Sequence, residues 1–245
     1  MSYTVEGAIT VDLLRRRAVS GTVILSLRRV ILQIIQTAST VVLARILFPK
    51  TFGQFSILTF VVEFLALLVS QGFVSALIQA KGKLTERDIS TVFWFVLCLS
   101  ILPFIVVWFG AGLLVSFWQN ELTINAYHLL APAVILVNLK LVLSSVLERE
   151  IKYLRIAIVD ISESFAYTVV SILLVISGWG LTALIIGYLS GKILSLVLLF
   201  VLGGFTPKFV FVDSVIKKIS SFALNFQSYS LINSISGAIA PIYVG

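Results

Sequence analysis

The chain has 245 residues, of which 59% are hydrophobic and only 12% are charged, and its mean hydropathy is +1.10. A soluble domain of this length has too little interior to hide so much apolar surface. The net charge of +7 does not indicate a nucleic-acid partner, because the basic residues lie in loops between apolar runs, where they orient a membrane protein.

Apolar runs long enough to cross a bilayer follow one another along the chain. A helical span needs roughly 20 apolar residues, and we place spans near 20–48, 54–79, 91–117, 124–147, 156–177 and 179–203, with a seventh run beginning near 219. The runs do not alternate apolar and polar residues as the strands of a membrane barrel do. The sequence therefore predicts an all-α integral membrane protein.

Basic residues occur in alternate loops between these runs. They are Arg15, Arg16 and Arg17 before the first run, Lys81, Lys83 and Arg87 after the second, Arg149, Lys152 and Arg155 after the fourth, and Lys208, Lys217 and Lys218 after the sixth. Short cytoplasmic loops are enriched in Lys and Arg. We therefore expect a multi-pass protein of the cytoplasmic membrane, with its amino terminus and these loops in the cytoplasm.

The chemistry-bearing residues exclude several kinds of site. Cys98 is the single cysteine, so no intrachain disulfide can form, and His128 is the single histidine. We find no cluster of metal ligands and no glycine loop followed by Lys and Ser or Thr. We expect no metal, no cofactor and no nucleotide hydrolysis through a P-loop.

The polar residues of the first run form a group towards its cytoplasmic end. We expect Arg28 and Arg29 at the edge of the hydrocarbon, where they either snorkel to headgroups or hold a phosphate in a cavity. Arg29, Gln33 and Gln36 are spaced by four and three, so they share a helical face. This shared face favours the cavity interpretation.

Ionisable residues deeper in the spans need a partner or water, because a charge in lipid is costly. Glu63 is the deepest acid of the second run, and it is either a proton or cation site or one side of a helix contact. Lys140 and Glu163 lie at similar depth on runs joined by a short loop, which predicts an ion pair. Asp160 shares a face with Glu163, but it is nearer the surface, where Lys152 or Arg155 can meet it.

The seventh run has a polar residue, glycine or proline at every fourth position. The stripe consists of Asn225, Tyr229, Asn233, Gly237 and Pro241. It is either a contact between helices that uses small and amide side chains or one wall of a cavity.

Several stretches, in order along the chain, resemble motifs of the polysaccharide-export flippases. These are the Wzx-like members of the superfamily that also contains the multidrug/toxin extruders and the lipid II flippases. The matching stretches are the A-R-x-L-x-P-x-x-F-G turn at 44–53, the G-x-x-x-A-L-I-Q ending at 72–79, the helix start at 90–94, the R-E-x-x-[FY] loop at 149–153 with Asp160 following, and the tight outer turn at 178–184.

The resemblance implies a fold of two lobes around a central cavity. On that basis residues 1–19 are a cytoplasmic segment, 20–203 the six-helix amino-terminal lobe, 204–218 a cytoplasmic loop, and 219–245 the first helix of a second lobe that is otherwise absent. Either the gene product is itself fragmentary or the sequence covers only part of a longer protein. Alone, it is expected to be inactive unless it pairs with another chain.

The resemblance also implies a function, which is the movement of a lipid-linked oligosaccharide of the polyprenyl diphosphate type to the outer leaflet. Membrane lipids and the polysaccharide polymerase machinery are the expected partners, and no enzymatic activity is expected. Arginine binds phosphate oxygens bidentately, which makes Arg28, Arg29 and Arg45 candidates for the diphosphate, although Arg45 fits an outer interface anchor as well. The candidates for sugar and cavity contacts are Gln33, Gln36, Asn225 and Asn233.

Other functions remain open from the sequence alone. A cation-coupled drug extruder of the same superfamily would use Glu63 and Asp160 as coupling sites, but the basic first helix argues against cationic drugs. A membrane-embedded sugar polymerase or glycosyltransferase would need larger outer loops than these. A structural membrane subunit is a further alternative.

Overall fold

The computed structural model describes residues 3–79, 85–117, 124–213 and 215–216. These ranges form helices and no strand, as expected of an all-α membrane protein. The helices are α1 (Tyr3–Ile46), α2 (Pro49–Gln79), α3 (Glu86–Phe117), α4 (Ile124–Leu130), α5 (Pro132–Arg149), α6 (Tyr153–Ile176) and α7 (Gly180–Gly203). The predicted seventh run, with Asn225 and Asn233, lies outside the described residues.

In the described part of the chain, six helical segments are long and apolar enough to cross a membrane. They run over Gly21–Ile46, Pro49–Ser70, Glu86–Ser116, Ile124–Arg149, Tyr153–Ile176 and Gly180–Gly203. Each overlaps one of the first six predicted spans, so the number and order of these six spans are confirmed within the described residues. The prediction of an all-helical membrane protein is confirmed.

Two helix ends differ from the prediction for local reasons. α3 begins at Glu86, ahead of the apolar run, because Thr85 and Asp88 cap it reciprocally: the Asp88 carboxylate accepts the Thr85 N–H at 2.8 Å, and the Thr85 hydroxyl accepts the Asp88 N–H at 3.3 Å. The fourth span consists of α4 and α5, with the interruption at Ala131, since Pro132 lacks the N–H that would continue the helix.

α5 is the centre of the bundle and α1 lies at its edge. In the most apolar window of the α4–α5 span 56% of residues are buried, against 11% for α1. α5 packs against α2, α3, α6 and α7, whereas the main packing partner of α1 among the described helices is α6. A side chain in the middle of α5 therefore meets the other helices, while α1 leaves most of its surface open.

One end of the bundle holds the described basic loop residues, and we call it the basic end. Here α2, α5 and α7 finish and α3 and α6 start. The Arg149 guanidinium donates to the Leu77 carbonyl at 2.6 Å, and Arg155 donates to the Leu202 carbonyl. The last carbonyls of a helix have no partner within the helix, so the short turn between α5 and α6 completes the ends of α2 and α7.

Candidate functional site: a charged cavity within the spans

Two glycines let α6 and α7 approach closely enough for their polar side chains to meet. A Cβ atom on Gly191 would lie 2.8 Å from the Glu163 carbonyl oxygen, and one on Gly187 would lie 2.0 Å from the Ser171 hydroxyl. Any larger residue would force the two helices apart. This contact sets Lys192, the neighbour of Gly191, beside Glu163.

A cavity of about 540 Å³ opens between α1, α2, α5, α6 and α7. Its lining is polar for a bundle that is otherwise so apolar, with charged, hydroxyl and amide groups among a few apolar ones. The lining residues are Arg28, Leu32, Gln36, Thr40, Phe55, Thr59, Glu63, Lys140, Asp160, Glu163, Ser164, Tyr167, Tyr188 and Lys192. Lys140, Glu163 and Lys192 lie near the midpoints of α5, α6 and α7, so the charges sit deep within the spans.

The charged groups of the cavity form one continuous chain of ion pairs. Asp160 lies between Arg28 and Lys140, with its carboxylate oxygens 3.1 Å from Arg28 Nε and 2.8 Å from Lys140 Nζ. Glu163 lies between Lys140, at 2.5 Å, and Lys192, at 2.8 Å. This series of ion pairs therefore contains three cations and two carboxylates, and its own net charge is positive.

Arg28 is the most exposed cation of this chain of ion pairs. Its Nε is buried against Asp160, at 3.1 Å from a carboxylate oxygen. Its side chain is 27% exposed, more than those of Lys140 and Lys192 at 17% and 13%. Arg28 also lines the cavity, and a guanidinium is suited to binding the oxygens of an anion.

Glu63 sits in the same cavity but belongs to a different contact. It accepts a hydrogen bond of 2.9 Å from the Tyr188 hydroxyl, and Lys192 Nζ lies 4.9 Å from the centre of the Tyr188 ring. Among the described residues it forms no ion pair. The Tyr188 hydroxyl thus supplies the polar partner that a carboxyl group within the spans needs.

The structure brings together most of the ionisable residues singled out in the sequence. Arg28, Gln36, Glu63, Lys140, Asp160 and Glu163 all line the cavity. The predicted ion pair between Lys140 and Glu163 is confirmed. The suggested partners of Asp160 were wrong, because Lys152 pairs with Glu150 and Arg155 donates to the end of α7 instead.

The structure separates the other candidates of the first run from this cavity. Arg29 and Gln33 lie on an exposed side of α1, where Gln33 donates to the Thr37 hydroxyl at 3.3 Å. Arg45 is exposed near the end of α1 that is remote from the basic end. Four residues of α1 line the cavity, namely Arg28, Leu32, Gln36 and Thr40, and Arg29 and Gln33 are not among them.

Sequence reasoning missed Lys192 and the tyrosines. Lys192 is a basic residue inside an apolar span, so the rule that singled out Lys140 would also have found it. Tyr167 and Tyr188 stand on either side of Phe55, each with its ring centre 6.2 Å from that of Phe55. No sequence signal distinguishes them from core aromatics, since their role depends on which helices meet.

The fold and the cavity define a multi-pass α-helical membrane protein with a charged site inside its spans. The family of polysaccharide biosynthesis proteins matches residues 42–245, and the chain belongs to this family.

A particular relative is the succinoglycan biosynthesis transport protein ExoT of Rhizobium meliloti (strain 1021), to which the chain is 28% identical over 199 residues. The match covers 80% of this chain and 39% of that protein, so the chain spans well under half the length of this relative. No solved structure matches the chain significantly.

Proposed function

We propose that the chain forms part of a transporter that moves a lipid-linked oligosaccharide across the cytoplasmic membrane during polysaccharide biosynthesis. The observation that carries the proposal is the chain of ion pairs from Arg28 to Lys192 inside a cavity of about 540 Å³. Membership of a polysaccharide biosynthesis family and the similarity to a transport protein support it. The role is that of a transporter and not of an enzyme.

The chemistry of such a substrate explains why a cavity of this kind is needed. Sugar hydroxyls and a diphosphate lose their water in hydrocarbon, which is prohibitively costly without replacement partners. Arg28, Lys140 and Lys192 are the cations that replace water at the diphosphate, and Gln36, Ser164 and Tyr167 are the neutral groups for the sugar. The lipid tail stays in the bilayer, because the cavity needs to enclose only the polar part.

The ion pairs of the cavity allow a diphosphate to bind by replacing carboxylates as the partners of the cations. Each cation already has a carboxylate partner, so no cation of the empty cavity is unpaired. An incoming diphosphate competes with Asp160 and Glu163 for these cations. Alternate opening towards the two leaflets completes the cycle, with the basic end and the amino terminus in the cytoplasm according to the distribution of Lys and Arg.

Arg28 and its neighbour Arg29 provide a matched test. Arg28→Ala removes the cavity guanidinium but leaves Asp160 paired with Lys140, so the fold should survive. In cells that lack the genomic copy, we expect the full gene product with Arg28→Ala to restore little surface polysaccharide and to accumulate lipid-linked sugar on the inner leaflet. Loss of one buried, charge-assisted phosphate contact corresponds to about a 10- to 100-fold loss of transport.

Arg29→Ala is the control, because this arginine lies on the exposed side of α1. We expect normal surface polysaccharide from this variant. Full transport by Arg28→Ala at normal protein level would exclude the diphosphate role. Normal polysaccharide in the deletion strain, with no second transporter in that strain, would refute the proposed function itself.

A further inference from the structure

The segment after α7 is fixed along the start of α3, although it has no regular secondary structure. We call residues 205–212 the strap. The Lys208 N–H donates to the Ser90 hydroxyl at 3.1 Å, and the Trp94 indole N–H donates to the Lys208 carbonyl at 3.0 Å. Both backbone groups of Lys208 are therefore bonded to α3 side chains, and its Nζ lies 2.8 Å from the Glu86 carboxylate.

A second contact holds the strap further along. The Thr91 hydroxyl lies 3.1 Å from the Val210 carbonyl and accepts the Val212 N–H at 3.3 Å. Ser90 and Thr91 are both fully buried, and each hydroxyl lies close to the carbonyl four residues earlier in α3, at 2.7 and 2.8 Å. A hydroxyl that donates to its own helix keeps its lone pairs for an incoming N–H, which suits these residues to hold an irregular segment.

Aromatic packing covers the same contact. The Phe209 ring packs edge-to-face on Trp94 at 5.0 Å between ring centres, and Phe205 contacts Phe93 at 6.4 Å. Near lipid, a backbone group without a partner costs several kcal/mol. The strap forms no helix or strand. Side chains of α3 are therefore the hydrogen-bond partners of the Lys208 backbone and of the Val212 N–H.

We propose that Ser90, Thr91 and Trp94 form a dock, which is a binding site on α3 that fixes the strap. The chain therefore stays in contact with the bundle past the end of α7 and separates from it at α3. The strap then moves with the six-span bundle as one body. This assigns a positioning role to the helix start at 90–94, which the cavity does not use. The inference does not depend on the substrate or on transport.

Hydrogen exchange measured by mass spectrometry on the purified protein in lipid nanodiscs tests the dock. We expect slow exchange at the Lys208 and Val212 amides in the unchanged protein. Ser90→Ala with Thr91→Val removes both hydroxyl acceptors, and about threefold to tenfold faster exchange of the peptide containing 205–212 is expected, the factor for losing one or two hydrogen bonds.

Trp94→Phe provides an independent variant, since it keeps an aromatic ring and removes only the indole donor to Lys208. We expect it to accelerate exchange of the same peptide. Thr168→Val is the matched control, because Thr168 makes the same bond to the carbonyl four residues earlier, at 2.8 Å, in the half of α6 away from the basic end. Exchange of the strap peptide should not change in this control.

Labelling in native membranes gives a second measurement that needs no purified variant. In a Cys98→Ala background, Val210→Cys is expected to react slowly with a membrane-impermeant maleimide in inside-out vesicles and faster when Thr91→Val is added. Unprotected exchange of the strap amides in the unchanged protein would overturn the dock. Equal exchange and labelling rates with and without the dock residues would do the same.

Discussion

The same residue types occur on the cavity-facing and on the outward-facing side of the bundle, but their partners and their exposure differ. Arg28 on α1 faces Asp160, whereas its neighbour Arg29 is exposed. Gln36 lines the cavity, whereas Gln33 bonds within its own helix. In α1 the residue type alone therefore does not distinguish a cavity residue from an outward-facing one. What separates a candidate site residue from a solvated or lipid-facing one is whether its face meets α6.

The largest difference in stability is expected between the substitution of a cavity lysine and that of a surface lysine. Lys140→Ala leaves the Asp160 and Glu163 carboxylates with one cation fewer in a buried place, and breaking such a pair costs about 3–5 kcal/mol. Lys152→Ala breaks a half-exposed pair with Glu150, worth about 0–1 kcal/mol. Thermal unfolding followed by size-exclusion chromatography measures both. Equal midpoints for the two variants would show that the cavity charges are solvated like those of the surface.

A pair of tyrosines gives the next test. Tyr188→Phe removes the hydroxyl that donates to Glu63, and a hydrogen bond to a charged group contributes about 1.5–3 kcal/mol. Tyr127 is fully buried and its hydroxyl has no hydrogen-bond partner among the described residues, so Tyr127→Phe should be neutral or stabilising. The same unfolding measurement compares the two. A loss of stability in Tyr127→Phe that matches Tyr188→Phe would mean that ring packing, and not the Glu63 contact, decides the effect.

Two glycines of the spans differ in the space that surrounds them, and this difference gives a further test. Gly191→Ala places a methyl group 2.8 Å from the Glu163 carbonyl oxygen, and overpacking of this kind costs about 1–3 kcal/mol. Gly112→Ala, in α3, places its methyl group where no atom of the described chain lies within 4 Å, and a gain of up to about 1 kcal/mol is expected from helix propensity. Unfolding midpoints that shift in opposite directions confirm this difference; a shift in the same direction contradicts it.

The smallest effect is expected for the glutamines. Under the proposed function, Gln36→Ala removes one neutral hydrogen bond to a sugar, and about a threefold to tenfold loss of transport is expected. Gln33→Ala lies on the exposed side and should transport normally. Surface polysaccharide per unit of protein is the measurement. Equal losses in both variants would place the substrate on the outward side of α1.

The number and order of the spans could be predicted from the sequence, because a bilayer imposes a length and a composition that can be counted. The depth of Lys140 and Glu163 also follows from counting, which is why their pairing was predicted. The partner of Asp160 was not, since Arg28 approaches it from a helix far away along the chain. Helical spacing shows which residues of α1 share a face, but only the packing of α1 on α6 decides which face is buried.

The turn between α5 and α6 has a consequence for biosynthesis. Arg149 completes the end of α2 from a position 72 residues further along the chain. At a synthesis rate of about 5–20 residues per second, the end of α2 waits roughly 4–14 s for this partner. During that time its last carbonyls depend on water and lipid headgroups. Completion of the end of α2 is therefore a late event in the insertion of the protein, and it follows the emergence of α5, the second half of the fourth span, from the ribosome.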